Sequence, residues 1–404
     1  MYCTSLHLFA LATWLADVTA LPTLDRANVP IEPKIVKSTV NEDGLTIDWI
    51  LLASQGHVAS PPPDTERRRS LGHSNPPALE FLLDRSTHDN DDGPNGTVPI
   101  IRASVDPLGK PIKQLPSKQD IEVSCADTKS TGTQPTSSSG KHWYASTAQT
   151  VNNHGGKAAF SLYKAFTQSN SDFSLLQTAV IKTNAVKAGS PETTTQTVEA
   201  GWINYPNQIK APHLFTYFTT VGYTSEGDNI GCWNRGCGGW VQVDKQIYPG
   251  VAFARLSQED GAQYELEIGY TLFEGNWWLW VLDRYIGYYP GSLFAKGVDK
   301  SKTLGGGSNQ INFYGEVFNS ETGVTTTDMG SGHLPSAGFG KSAYLHNIYY
   351  IDSKTGSYIN YDGSKGLIVS DAARYQIAPS YNSGTSWGSF FYLGGPGAGG
   401  KIGA

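Results

Sequence analysis

The chain has 404 residues and a formal net charge of −6, with only 16% of residues charged, against a usual share of about 25%. No basic stripe runs through it, which argues against nucleic-acid binding. Gly, Ser, Thr, Tyr and Trp are abundant and runs of Leu, Ala, Glu and Lys are missing, so the expected class is all-β, with an antiparallel β-sandwich as the main body.

Residues 1–20 read as a secretory signal. Leu6–Leu15 is a short, mostly apolar run, and Val18-Thr19-Ala20 is a small-residue cleavage site. The flank carries His7 but no Lys or Arg, which leaves a buried N-terminal helix as the alternative. No later stretch is long and apolar enough to cross a bilayer as a helix. The expectation is a secreted, extracellular protein, monomeric and without membrane or nucleic-acid partners.

Residues 21–127 are rich in Pro and charge, as in Pro61-Pro62-Pro63, Arg67-Arg68-Arg69 and Asn90-Asp91-Asp92. Their apolar periods are short, at Leu45–Leu51 and Val98–Ile101, and suggest a small mixed domain. The triple Arg reads as a solvated charge run or as a processing site. Asn95-Gly96-Thr97 is a glycosylation sequon, which makes Asn95 an acceptor in an exported protein. Residues 128–141 form a linker dominated by Ser, Thr and Gly.

From residue 142 to 404 one strand follows another. Tyr264–Tyr270 alternates apolar and acidic positions, so Glu265 and Glu267 mark a solvated face. Leu214–Val221, Gly239–Val243, Trp277–Val281, Ala343–Ile351 and Ser389–Leu393 are further strands, punctuated by Gly, Asn, Asp and Pro. The Gly-rich end, Gly394–Ala404, reads as a flexible tail or an edge.

Cys3 would leave with the signal, and Cys125 has no evident partner. Cys232 and Cys237 lie in a Gly-rich bend, Gly231-Cys232-Trp233-Asn234-Arg235-Gly236-Cys237-Gly238-Gly239, tight enough for a short disulfide. No second Cys or His pair is spaced to complete a zinc site, so neither metal nor other cofactor is expected. There is no Gly-x-Ser-x-Gly elbow, His-Glu-x-x-His or phosphate loop, and Gly330-Ser331-Gly332-His333 reads as a turn.

Two glutamates sit where charge is unexpected. Glu199 lies in Val198-Glu199-Ala200-Gly201-Trp202, and Glu316 in Ile311-Asn312-Phe313-Tyr314-Gly315-Glu316-Val317-Phe318. By strand period Glu199 shares a face with Thr197 and Gly201, while Val198, Ala200 and Trp202 point away. Glu316 shares a face with Asn312, Tyr314 and Phe318. Each glutamate thus faces an open sheet surface, and a nearby glycine leaves room above it. Taken alone this pattern also fits ordinary outward-facing carboxylates.

The run from Glu199-Ala200-Gly201-Trp202 through Tyr205-Pro206, Leu214–Thr219, Gly222-Tyr223 and the Cys232–Cys237 loop resembles the neprosin family of glutamic peptidases. The likeness resumes at Gly275-Asn276-Trp277-Trp278, Ile286–Pro290, Leu293-Phe294, Gly315-Glu316-Val317 and Met329-Gly330-Ser331-Gly332. Upstream, Asp43–Trp49 and Gly96–Ile100 are similar to the family's activation segment. The resemblance implies a β-sandwich peptidase made as a precursor, with Glu199 and Glu316 as its catalytic pair, a prosegment as its own inhibitor and a taste for proline-containing peptides. Tyr314 stands where the family commonly has a glycine, and Phe218 where it often has Trp. Tyr314 would bond a carboxylate or narrow the cleft. Tyr205, Tyr314 and Trp202 are candidates for stacking on a proline ring, with core packing the other reading of Trp202.

Such a pair would share a proton, one carboxylate as base and one as acid, and activity should peak in acid. The rivals are a secreted glycoside hydrolase, which needs similar carboxylates, and a non-catalytic carbohydrate-binding module, in which the two glutamates would lie far apart.

Overall fold

The computed structural model describes residues 33–41, 44–63, 93–102, 113–116, 140–399 and 402. The chain divides into Met1–Ile31 and Glu32–Ala404; the first unit lies outside the described residues, as do Arg67–Arg69, Cys125 and residues 117–139.

Strands β1 (Ile35–Val40), β2 (Thr46–Leu51) and β3 (Thr97–Ile101) form a small antiparallel sheet in the order β1-β2-β3. Trp49, Ile50 and Val98 are buried in it. Arg102 clamps Asp48 through two hydrogen bonds, of 3.0 and 2.7 Å. The two apolar periods expected in this region are thus strands β2 and β3.

The other strands belong to one large curled antiparallel sheet. In chain order they are β4 (Lys141–Ser161), β5 (Phe173–Val186), β6 (Thr193–Tyr205), β7 (Ile209–Thr219), β8 (Gly231–Trp233), β9 (Val241–Gln242), β10 (Glu265–Phe273), β11 (Asn276–Val281) and β12 (Arg284–Pro290). They continue with β13 (Ser308–Asn319), β14 (Ala343–Asp352), β15 (Tyr358–Asn360), β16 (Ile368–Val369), β17 (Gln376–Ser380) and β18 (Phe390–Gly394). The spatial order is β8-β7-β6-β5-β13-β4-β10-β11-β12-β9, with β14 and β16 also on β4. All the predicted strands are present, although Gly239–Val243 contributes only the two residues of β9.

The curl follows from β4. Its first half pairs with β13, from Lys141 to Asn153, and its second half pairs with β10, from Gly155 to Ser161. Gly155 marks the change, at φ 106°, and a Cβ there would lie 2.0 Å from the Tyr270 carbonyl oxygen. Two layers result, and their facing sides make the core. Leu176, Val180, Val198, Ala200, Trp202, Leu214 and Phe218 meet Leu266, Ile268, Tyr270, Trp277, Leu279, Ile286 and Tyr289. Burying each such side chain contributes about 1.5–3 kcal/mol, so the alternation of β5, β6 and β7 fixes which face turns inward. The outer face carries Phe173, Leu175, Ile203, Tyr205, Phe215, Tyr217, Trp233 and Phe318 as a second cluster. The Gly-rich end does not hang free as far as Ala398, whose N–H bonds the Thr325 carbonyl at 2.8 Å.

Candidate active site

On the outer face β5 runs between β6 and β13. Glu199 of β6 is opposite Ala179 of β5, and Glu316 of β13 is opposite Leu175. Gln177 falls midway between them on the same face, opposite both Gly201 and Tyr314. The strand period therefore puts two carboxylates and one amide on a single surface.

Glu199 is fully buried. Its Oε1 accepts hydrogen bonds from Thr197 Oγ1 at 2.8 Å and from Tyr223 Oη at 2.5 Å. Tyr223 follows β7 at φ 64° and its ring lies parallel to Tyr217, centroids 5.9 Å apart. Burial, and then the Glu199 charge, hold the Tyr223 phenol proton far above its ordinary range.

Glu316 is equally buried. Its Oε1 lies 2.7 Å from His142 Nδ1. His142 stands at the start of β4 opposite Phe318, hence on the same face. Its ring is parallel to Tyr144, centroids 6.1 Å apart, and tilted against Phe318 at 4.9 Å. Burial by itself would raise the Glu316 carboxyl; the Lys113 charge and the His142 hydrogen bond and charge outweigh it and hold the group below its ordinary value.

Lys113 comes from the segment 113–116, upstream of β4. Its ammonium lies 2.9 Å from Glu199 Oε2 and 3.2 Å from Glu316 Oε2, and donates to Gln177 Oε1. All three charged side chains are fully out of solvent. The rings of Phe215, Trp233 and Tyr314 surround the ammonium, with centroids 5.3, 5.4 and 5.9 Å away. Beyond it the segment stays on the sheet: Tyr144 Oη donates to the Gln114 carbonyl at 3.2 Å, and Leu115 packs against Tyr144, Ala179, Ile181 and Tyr314. Isolated buried ions are costly, so this cation and these anions stabilise one another only as a set.

The open, solvated surface expected for the glutamates is therefore covered. Neither nearby glycine leaves room above them. A Cβ on Gly201 would meet the Leu176 carbonyl oxygen at 1.9 Å, and Gly315 faces Leu393 and Met329 in the core. The glutamates are not far apart, as the binding-module reading required.

Trp202 is not in the cleft. It belongs to the inner core, where its indole donates to the Ser161 carbonyl at 2.8 Å, because an odd number of residues along β6 separates it from Glu199 and so turns it to the opposite face. Tyr205 does lie on the outer face, buried beside Phe173 in the aromatic cluster. Tyr314 is buried near Lys113 and bonds neither carboxylate; burial, then Glu199 and Glu316, hold its phenol proton high. Cys232 and Cys237 form a disulfide. It closes the loop that presents Trp233 to the ammonium. Asn95 is exposed in a turn before β3. Among the described residues no group of three or more His, Cys, Asp or Glu side chains is arranged to hold a metal.

Lys113, Gln177, His142, Thr197 and Tyr223 were not singled out from the sequence. Nothing local marks Gln177, whose stretch Phe173–Ala179 also holds Ser174 and Thr178, but Thr197 shares the face assigned to Glu199. Lys113 is equally unmarked.

A sequence model of the Neprosin family matches residues 170–396, more than half the chain and both glutamates. The chain belongs to the neprosin family. Solved structures similar to this neprosin-family chain include scytalido-glutamic peptidase with a peptide-based transition-state analogue, at 9% identity and TM-score 0.30, covering 63% of this chain and 97% of that one. Another is SCP-B, of the eqolisin family of peptidases, with the tripeptide Ala-Ile-His, at 8% identity and TM-score 0.28, with the same coverage. Likeness at that level carries no argument about the site.

Proposed function

We propose that this chain is the precursor of a secreted glutamic endopeptidase in which Glu199 and Glu316 activate water, and that Lys113 keeps it latent. The observation that carries the reading is that Oε2 of each glutamate faces one and the same ammonium. Whatever replaces Lys113 there meets two carboxylates at once. One ionised and one protonated carboxyl suffice for hydrolysis. The carboxylate takes a proton from water as its oxygen bonds the amide carbon, while the acid protonates the carbonyl oxygen, giving a gem-diol. The first group then returns its proton to the amide nitrogen. The C–N bond breaks, and the second group recovers its proton from a diol hydroxyl.

Membership of the neprosin family favours peptide over sugar cleavage. Phe215, Trp233 and Tyr314 around the Lys113 ammonium supply flat apolar faces suited to a pyrrolidine ring, with Tyr205 further along. That arrangement supports cleavage next to proline. Residues 21–127 act in this account as the activation segment, 128–141 as the linker and 142–404 as the enzyme. The exposed Asn95 suits glycosylation on export.

The test is digestion of a denatured, proline-rich protein by the processed enzyme at about pH 4, well within the carboxylate titration range, with products read by mass spectrometry. The new ends should lie next to proline, and a chelator should have no effect. Cleavage of a polysaccharide but of no protein would overturn the proposal.

A further inference from the structure

We propose that His142 is a positioning residue for Glu316, aiming its Oε2 into the cleft as the base that accepts the proton of water, and that Glu199 is the acid. This assignment rests on the peptidase reading above and adds to it the roles within the pair.

The two carboxyl groups are held by different chemistry. Glu316 Oε1 is taken by an imidazole nitrogen at 2.7 Å. Glu199 Oε1 is taken by two neutral hydroxyls, those of Thr197 and Tyr223. Among the described residues the cation against Glu199 is Lys113, and Lys113 leaves with the prosegment. After it goes, Glu316 still has a group able to carry positive charge beside it and Glu199 has none. A nearby cation favours the ionised carboxyl and a fully buried carboxyl without one favours the protonated state, so the pair divides its one proton in favour of Glu199. Tyr223 and Thr197 remain bonded to Glu199 Oε1 in either state, which leaves Oε2 of Glu199 to carry the proton toward the substrate.

His142 is well placed for this. Its ring lies parallel to Tyr144, on the same strand and face, while Phe318 and Phe173 close the other sides at 4.9 and 6.1 Å. The remaining groups around Glu316 are Lys113 from the covering segment, Gln177 from β5, Glu199 from β6 and Tyr314 from β13 itself. Gln177 is neutral, and Tyr144 and Tyr314 are phenols that do not ionise in acid, so among the described residues the group beside Glu316 able to carry positive charge once Lys113 is gone is His142. The site begins one residue into β4, and a cut anywhere in the linker upstream of Gly140 leaves it whole.

The experiment measures kcat and KM of processed wild type, His142→Gln, Glu199→Gln and Glu316→Gln across the acid range. His142→Gln keeps volume and a hydrogen-bond donor but not the charge. The acid limb of its kcat/KM profile should move up by about one pH unit, with kcat down about tenfold and KM little changed. An acid limb in the wild-type place overturns the role of His142. An inactive processed wild type, or a fully active Glu199→Gln or Glu316→Gln, would fail the peptidase reading instead. If His142→Gln does not fold, carboxyl 13C titration of the processed wild type decides, with signals assigned through the two Glu→Gln variants. Glu316 ionising below Glu199 supports the proposal, and the reverse order overturns it.

Discussion

The Lys113 ammonium lies 2.9 Å from Glu199 Oε2, with neither group reached by solvent. A side chain from the upstream segment thereby occupies the place between two carboxylates that water and a scissile amide would need. In the proposed function this contact would tie latency and catalysis to the same atoms.

Replacing Lys113 with Met removes the cation and leaves two buried carboxylates together. Breaking such a set costs about 3–5 kcal/mol, and the covered form bears that cost. Uncut Lys113→Met precursor should cleave a fluorogenic peptide at least about tenfold faster than uncut wild-type precursor, a shift of about 1.4 kcal/mol. Initial rates, with a gel to show that the chain is intact, check this. Equal silence of the two precursors would contradict it.

Acid should loosen the segment, and the sign is fixed by two carboxyls. Burial would raise Glu316, but Lys113 and His142 hold it below its ordinary 4.5. Burial would likewise raise Asp48, but Arg102 and Ser38 hold it below 3.8. A depressed carboxyl stabilises the form that depresses it above the ordinary value, and that stability is lost as pH falls through the lowered one. Once Lys113 is gone Glu316 binds a proton more readily, so acid favours the uncovered form. Hydrogen exchange of β3 and residues 113–116 should be slow and nearly constant above about pH 5 and should quicken below about pH 4.

Tyr223→Phe keeps the ring stacked on Tyr217 and deletes the hydroxyl that bonds Glu199. A hydrogen bond to a charged or acidic partner is worth about 1.5–3 kcal/mol. The processed variant should lose about tenfold to a hundredfold in kcat with its melting temperature nearly unchanged, as read by steady-state kinetics beside a thermal melt.

Trp202→Ala should do the opposite. The residue fills the inner core and leaves a large cavity there, costing about 3–5 kcal/mol of stability. KM for a proline peptide should hardly change in whatever fraction stays folded. A selective rise in KM would place Trp202 in substrate binding after all.

Part of the fold was legible because Tyr264–Tyr270 alternates cleanly and because the period that sets Val198, Ala200 and Trp202 inward sets Glu199 outward, whereas β5, in which Leu175 and Leu176 are adjacent, has no such pattern to read. The Cys232–Cys237 pairing was legible from its short Gly-rich span. Period could not say that the outward face is covered, because that depends on Lys113 and Leu115, which belong to no periodic segment. Nor could it find His142, whose tie to Glu316 is a cross-strand diagonal set by the β4–β13 register. Trp202 was open to misreading for a related reason: its neighbour in sequence is in the site, but its side chain crosses to the other face.

The claim that Glu199 and Glu316 work as one unit is tested most directly by kcat/KM of processed Glu199→Gln, Glu316→Gln and the double variant on a proline peptide in acid. Groups that act together are grossly non-additive. Each single variant should lose at least about a thousandfold, and the double variant should be little worse than either. Substantial activity in either single variant, or losses that multiply in the double, would contradict the account.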